Sequence, residues 1–406
     1  MEPVARIPDP LREIEIPQYL SVTRLSNAGP CFLRAVAPIP HFTPGAIGPR
    51  AEFGNLAHAL ADLAITGRLG SGSVPAAVGE AFEYLLAQAF LRLSSSEETR
   101  PYADLRVGFT KREWEKRCYL AITSAQEVVK RRRTPTPGSV GMPQAKPLSL
   151  KRVLQQNLRS AAEVAFESRP LRIRGRIDLV DLDGPHRATI SDFKSGIVAD
   201  ADGVVNDETS LQVRLYGLAV NELAPERNVG LRILGQNTEM TIPFEEAEKC
   251  ATLDRLHEIT DALPAGALFN AASLAVRGTQ CVGCSVRPVC PAYRSSVGGV
   301  WGRKDNPFEL PLDIAGTLFA RDTQDDHYSL KLTDLAGRIV KIHRVFARNA
   351  DTSLMGQRVW LFDLASIEAR VSNTGWRHPQ NFHQLALTPY ERTAWTLRVF
   401  RDLSGT

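Results

Sequence analysis

Residues 172–196 read RIRGRIDLVDLDGPHRATISDFKSG, and no other stretch constrains the fold as strongly. Both halves are rich in β-branched and apolar residues, and Asp-Gly-Pro-His separates them. That pattern predicts an antiparallel hairpin. Folding back at residues 184 and 185 brings Asp178 to within about one residue of Asp192. Lys194 follows Asp192 by two positions and shares its face, because side chains alternate along a strand. Two carboxylates and an ammonium thus converge among apolar neighbours. A structural ion pair and a cation site both fit such a set. Two close carboxylates repel unless a proton or a cation stands between them. A hard divalent ion such as Mg²⁺ prefers oxygen ligands.

Around the hairpin the periodicity alternates between helix and strand. FGNLAHALADLAI (53–65), residues 75–93 and residues 112–133 carry apolar side chains at helical spacing. TPTPGSVGMPQAKP (134–147) reads as a loop. Strand-like runs follow at 162–167, 171–183 and 187–194, then a helix at 208–223. NVGLRILG and TEMTIPF predict two more strands, and a helix closes the series at 244–262. This order predicts an α/β fold with a mixed sheet flanked by helices. Beyond residue 301, LDIAGTLFARD, HYSLKLTDLAGRIVKIHRVF and QRVWLFDLASIEARV are strand-like and separated by turn-formers. They predict a small C-terminal β-barrel, with the OB type as one form. The expected division is an N-terminal segment, 1–70, carrying Cys31 and His58; a helical insertion, 71–160; a core with the cysteine cluster, 161–300; and a β-rich domain, 301–406.

Composition narrows the partners. The chain has 406 residues and a formal charge of +4, which permits a nucleic-acid partner without requiring one. No run approaches the roughly 18 apolar residues of a membrane helix. MEPVARIPDP lacks an apolar signal core, so the expected location is the cytoplasm, with no membrane partner. No P-loop with Gly-Lys-Ser/Thr occurs, so a helicase motor would be a separate chain. Of six cysteines, three crowd into CVGCSVRPVC. In a reducing compartment such clustering points to a metal rather than to disulfides. Cys281, Cys284 and Cys290 supply three ligands where zinc or a cluster takes four. Cys118 and Cys250, in helical surroundings, read as ordinary packed thiols.

The order Gly175-x-x-Asp178, then Asp192-x-Lys194, is joined by two further pairs. Gly54-x₃-His58 lies on one predicted helix and Gln212-x₃-Tyr216 on the helix after the hairpin. Each pair is about one helical turn apart, on one face. The combination resembles the PD-(D/E)XK nuclease superfamily in its RecB-like branch, where Ile commonly stands in the place of Ile177. The resemblance implies a restriction-endonuclease-like core. It implies that His58, Asp178 and Asp192, with the Phe193 carbonyl, hold Mg²⁺ or Mn²⁺. Lys194 would position or activate water and stabilise charge on the phosphate, with Gln212 and Tyr216 orienting Lys194 or the DNA backbone. Glu163 matches an acidic position of some relatives, as an outer metal ligand or, in preference, a solvated strand residue.

SVTRLSNAGPCFLR resembles the family's N-terminal element that carries a distant cysteine, although Pro30 here precedes Cys31 where relatives have it after. One distant cysteine plus three near the end of the core is the layout of the iron–sulfur members. These include exonucleases of CRISPR adaptation, helicase–nucleases of replication and nuclease subunits of bacterial break repair. The layout implies a [4Fe–4S] cluster on Cys31, Cys281, Cys284 and Cys290, with Zn²⁺ as the alternative. The implied activity is metal-dependent DNA hydrolysis, expected as an exonuclease on single strands or DNA ends in repair, CRISPR adaptation or phage defence. The alternative is a non-catalytic DNA-end or single-strand binding module, or a scaffold subunit of a helicase–nuclease complex. Residues 301–406 fall outside the resemblance. In an OB-like barrel, Arg344, Phe346, Trp360 and Trp376 would be candidates for contacting a single strand.

Overall fold

The structure is a computed structural model that describes residues 9–38, 49–70, 72–95, 103–109, 111–131, 148–194, 199, 203–234, 239–278, 281, 284–297, 312–324, 327–334, 337, 339–345, 354–366, 384–389 and 398–401. Short strands β1 (Glu13–Glu15) and β2 (Leu20–Ser21) lead to short helices α1 (Val22–Ser26) and α2 (Phe32–Val36). Three long helices follow: α3 (Pro49–Thr66), α4 (Val74–Ser94) and α5 (Lys111–Arg131). Helix α6 (Leu150–Gln155) precedes β3 (Ser160–Ser168), β4 (Ile173–Leu182) and β5 (Arg187–Phe193). Then come α7 (Asp207–Leu223), β6 (Asn228–Leu234), β7 (Glu239–Ile242), α8 (Glu246–Ala262), β8 (Leu268–Asn270) and α9 (Pro291–Val297). The last six strands are β9 (Leu312–Gln324), β10 (His327–Asp334), β11 (Ile339–Val345), β12 (Arg358–Ser366), β13 (Gln384–Pro389) and β14 (Arg398–Arg401). The expected loop at 134–147 lies outside the described residues. Among the described residues no helix is long and apolar enough to cross a membrane.

The chain forms two compact units. One comprises residues 15–29 and 49–268, the other residues 1–14, 30–48 and 269–406. In the first, the sheet order is β2-β4-β5-β6-β7, with β3 paired to β4. β5 and β6 are parallel, and β3–β4, β4–β5 and β6–β7 are antiparallel. A parallel pair needs a crossover, and α7 provides it. Asn206 caps α7 by accepting from the Thr209 amide at 2.8 Å, and Asp207 and Glu208 favour its positive end. Leu211, Leu215, Leu218 and Val220 bury its apolar side. A Cβ on Gly217 would stand 2.7 Å from Phe244 Cζ, so this glycine lets α7 approach that ring. Helices α3, α4 and α5 share a core of Phe53, Leu60, Val78, Phe82 and Leu105. Cys118 joins that core, whereas Cys250 is exposed on α8, which corrects the expectation of a packed thiol there.

Two irregularities in β4 shape the site. On one edge β3 accompanies the whole strand. On the other, β2 reaches only as far as Arg174 and β5 begins only at Leu179, so the strand forks between them. The β3–β4 ladder also runs through Ala162–Leu179 and Val164–Ile177 while leaving out the Glu163–Asp178 pair between them. Glu163 has φ 52°, a left-handed conformation that costs a non-glycine residue about 1–2 kcal/mol. Burial changes phase across this point. Ile173 and Ile177 are buried with Arg174 and Arg176 exposed, but Val180 and Leu182 take the buried positions further on.

In the second unit, β9 pairs antiparallel with β10 and β12, β10 pairs antiparallel with β11, and β11 pairs parallel with β13. β13 also pairs antiparallel with β12, and β14 lies on the outer side of β12. Trp360 corrects one expectation. It is 4% exposed, with the Arg294 guanidinium 4.7 Å over its ring, so it offers no open face to a base. Phe346, Trp376 and the Arg344 side chain lie outside the described residues.

Gly217→Ala will lower unfolding stability by about 1–3 kcal/mol through overpacking against Phe244. Urea unfolding of the two proteins, at equal denaturant slope, measures this.

Candidate active site

The hairpin register is Leu179 with Ser191, Val180 with Ile190 and Leu182 with Ala188. Extended by one step, it sets Asp178 opposite Asp192 at the mouth of the fork. There the ladder hydrogen bond is replaced: the Phe193 amide donates to Asp178 Oδ2 at 2.7 Å. Asp192 is 1% exposed. Its Oδ1 accepts from Gln212 Nε2 at 3.2 Å, and its Oδ2 pairs with Lys194 Nζ at 2.8 Å. Lys194 Nζ also donates to Gln212 Oε1 at 3.0 Å. Gln212 Nε2 reaches the Tyr216 hydroxyl at 3.0 Å, and that hydroxyl also hydrogen-bonds the Thr23 side chain. One amide, delivered by α7, therefore fixes the lysine, the buried aspartate and the tyrosine together.

Helix α3 brings His58 from the other side, with Nδ1 3.7 Å from Asp178 Oδ2. The Phe193 ring stands edge-on to the imidazole at 6.0 Å and 87°. His58, Glu163 and Asp178 each present a ligand atom, and those atoms lie within 4.8 Å of one another. The grouping differs from the expected one. Asp192 is turned to Lys194 and Gln212, while Glu163, expected in preference as a solvated residue, sits with the candidate metal ligands His58 and Asp178. The left-handed backbone at Glu163 is what re-aims that side chain, and no sequence periodicity announces it. Glu163 Oε2 also accepts from Arg176 Nη1 at 3.0 Å.

Burial sets the protonation. It lowers the His58 pKa against the pull of Glu163 and Asp192, which keeps the imidazole neutral and able to ligate. Burial and then the Asp192 charge raise Asp178 above the usual carboxylate range, with the Phe193 amide acting in the opposite direction. Asp192 is also raised by burial, opposed first by Lys194. Two acids that resist ionising side by side, beside a neutral imidazole, suit a hard divalent cation.

The family description of the PD-(D/E)XK nuclease superfamily matches residues 19–291. The chain belongs to that superfamily. Its mixed sheet flanked by helices is consistent with the restriction-endonuclease-like fold, and membership implies a nuclease that uses divalent metal. No curated protein matches the chain. A solved structure, SSO0001, is 17% identical over 52% of this chain and 96% of that one, at a TM-score of 0.22.

In the second unit Cys31, Cys281, Cys284 and Cys290 line one cavity together with Arg34, Arg277 and Arg287. Arg287 is 2% exposed and donates from Nε to the Cys284 carbonyl at 3.1 Å. Burial, followed by the neighbouring cysteines, pushes the Cys290 thiol up to about 11.

Metal-free PD-(D/E)XK protein will lose stability as pH rises above 6.5, where His58 is neutral both folded and unfolded, toward the raised value of Asp178, about 8. The folded state keeps a proton there that the unfolded chain has released, so the slope is negative. A divalent ion taken up by these residues will flatten that slope by replacing the proton. Thermal melts across this pH range, with and without the ion, check the sign.

Proposed function

We propose that this protein is a Mg²⁺- or Mn²⁺-dependent deoxyribonuclease that hydrolyses phosphodiester bonds, as an exonuclease on single strands or DNA ends. The observation that carries the reading is the lysine held between Asp192 and Gln212, next to the His58–Glu163–Asp178 group. His58, Asp178 and Glu163 would hold the ion, with Asp192 and the Phe193 carbonyl completing its surroundings. When bound, a divalent ion screens the phosphate charge and lowers the pKa of its water. The chain's own groups do the rest. Asp192 and Gln212 hold Lys194 in place, so its ammonium stands where the phosphorane-like transition state gains negative charge. Tyr216 and Thr23 hold the Gln212 amide in the orientation this requires. His58, neutral and braced by Phe193, offers a lone pair without adding charge that would repel a metal.

The cysteine cavity supports a metal–thiolate centre, [4Fe–4S] in preference to Zn²⁺. Three arginines beside four thiols complement the negative charge that four thiolates would carry on a metal. The strand circuit β9–β10–β11–β13–β12–β9, with its parallel β11–β13 step, supports a five-stranded barrel of OB type. A single strand or a separate helicase subunit is the partner this reading favours. Repair, CRISPR adaptation and phage defence are the settings where such a nuclease serves.

Lys194→Ala will cut labelled DNA about 10²–10³-fold more slowly in Mg²⁺ or Mn²⁺, the loss typical of removing one transition-state charge partner. A binding module or scaffold would cut in neither form. Protein purified without oxygen will show the broad visible absorption of an iron–sulfur centre, and the quadruple serine variant at Cys31, Cys281, Cys284 and Cys290 will lack it. A colourless, zinc-loaded wild type would replace the cluster by zinc.

A further inference from the structure

Beside the metal-binding group lies an open cleft of about 570 Å³ that the catalytic reading leaves unused. Ser21, Ser149, Glu167, Arg174, Gly175 and Arg176 line it. β4 forms its floor. Arg174 and Arg176 are exposed on one face of that strand, since they alternate with Gly175. Gly175 itself turns the other way. A Cβ there would lie 3.0 Å from Phe166 and 3.1 Å from Tyr216, so the glycine seats this stretch tightly on Tyr216 and directs both arginines outward. The cleft is continuous with the site, because Arg176 Nη1 is 3.0 Å from Oε2 of Glu163, one of the three grouped metal-ligand candidates.

Charge and spacing identify the occupant. Two guanidiniums and two hydroxyls line the cleft with one carboxylate, Glu167, while Glu163 at its edge accepts from Arg176, so an anion that enters competes with Glu163 for that guanidinium. Two residues of a strand span about 6.7 Å, comparable to the step between neighbouring phosphates of an extended nucleic-acid strand. Guanidinium forks match phosphate oxygens two at a time. We propose that the cleft is a backbone track: a nucleic-acid strand lies along β4 with its next phosphates over Arg176 and then Arg174. This rests on the nuclease reading for the position of the cut bond, but the binding itself is independent of cutting. The track recognises phosphate and sugar, so its contribution does not depend on base sequence. Because Arg176 is shared, a phosphate that takes its guanidinium frees Glu163 Oε2 for the metal-binding group.

Arg174 is exposed and stands apart from the metal-ligand candidates, so it is the position to test. Fluorescence anisotropy with two labelled single-stranded oligonucleotides of unrelated sequence, without divalent metal, reads binding over a salt series. Arg174→Gln will raise Kd about tenfold on both sequences, as expected for losing one charged hydrogen-bonding partner. It will also flatten the slope of log Kd against log salt by about 0.7. Arg174→Glu will weaken binding further, and melting curves will show both variants folded. Equal Kd and equal salt slope in wild type and both variants overturn the track, even if the wild type cuts DNA. A wild type that binds through Arg174 but never cuts retains the track and overturns the catalytic reading instead.

Discussion

Two carboxylates brought face to face by one hairpin set the terms for the first unit. Asp192 is buried and Asp178 half-buried, and neither ionises easily beside the other. Everything around them answers that difficulty. The Phe193 amide and Lys194 supply positive partners, Gln212 from α7 ties the lysine in place, and α3 delivers a neutral imidazole rather than a third charge. A cation would resolve the remaining repulsion. The fork in β4 is what makes room: had β5 continued its ladder to Arg176, backbone hydrogen bonds would have filled the space where the carboxylates meet.

Much of this arrangement is legible in the sequence, for a definite reason. Hairpin register follows from where Asp-Gly-Pro-His turns the chain, and Gln212 and Tyr216 are one helical turn apart on any α-helix. Such local rules survive folding. The expected strands 171–183 and 187–194 and the helix 208–223 match β4, β5 and α7 to within two residues at each end. Glu163 is different. Its place depends on the register of β3 against β4 and on a left-handed residue inside a strand, neither of which periodicity encodes. Arg176 was equally silent, since an exposed arginine in a strand is ordinary until its neighbour is known to be Glu163.

The division of the chain was the least readable feature. Residues 30–48 belong with residues 269–406, although 220 residues of the other unit intervene in the sequence. Composition shifts cannot reveal such a return. What unites Cys31 with Cys281, Cys284 and Cys290 is a common cavity wall; spacing alone marks the last three, and Cys31 is legible only through the resemblance of SVTRLSNAGPCFLR. Trp360 illustrates the converse error: an aromatic in a strand looks equally suited to stacking on a base or filling an interior, and here it fills the interior.

The left-handed backbone at Glu163 has a consequence for how such a protein can be improved. Selection for thermal tolerance alone would favour glycine or asparagine there, because either relaxes the main chain. Each would also delete the carboxylate. Laboratory evolution that rewards heat resistance without assaying catalysis should therefore drift toward a sturdier protein that lacks one member of the candidate metal-ligand group, with this codon among the first to change.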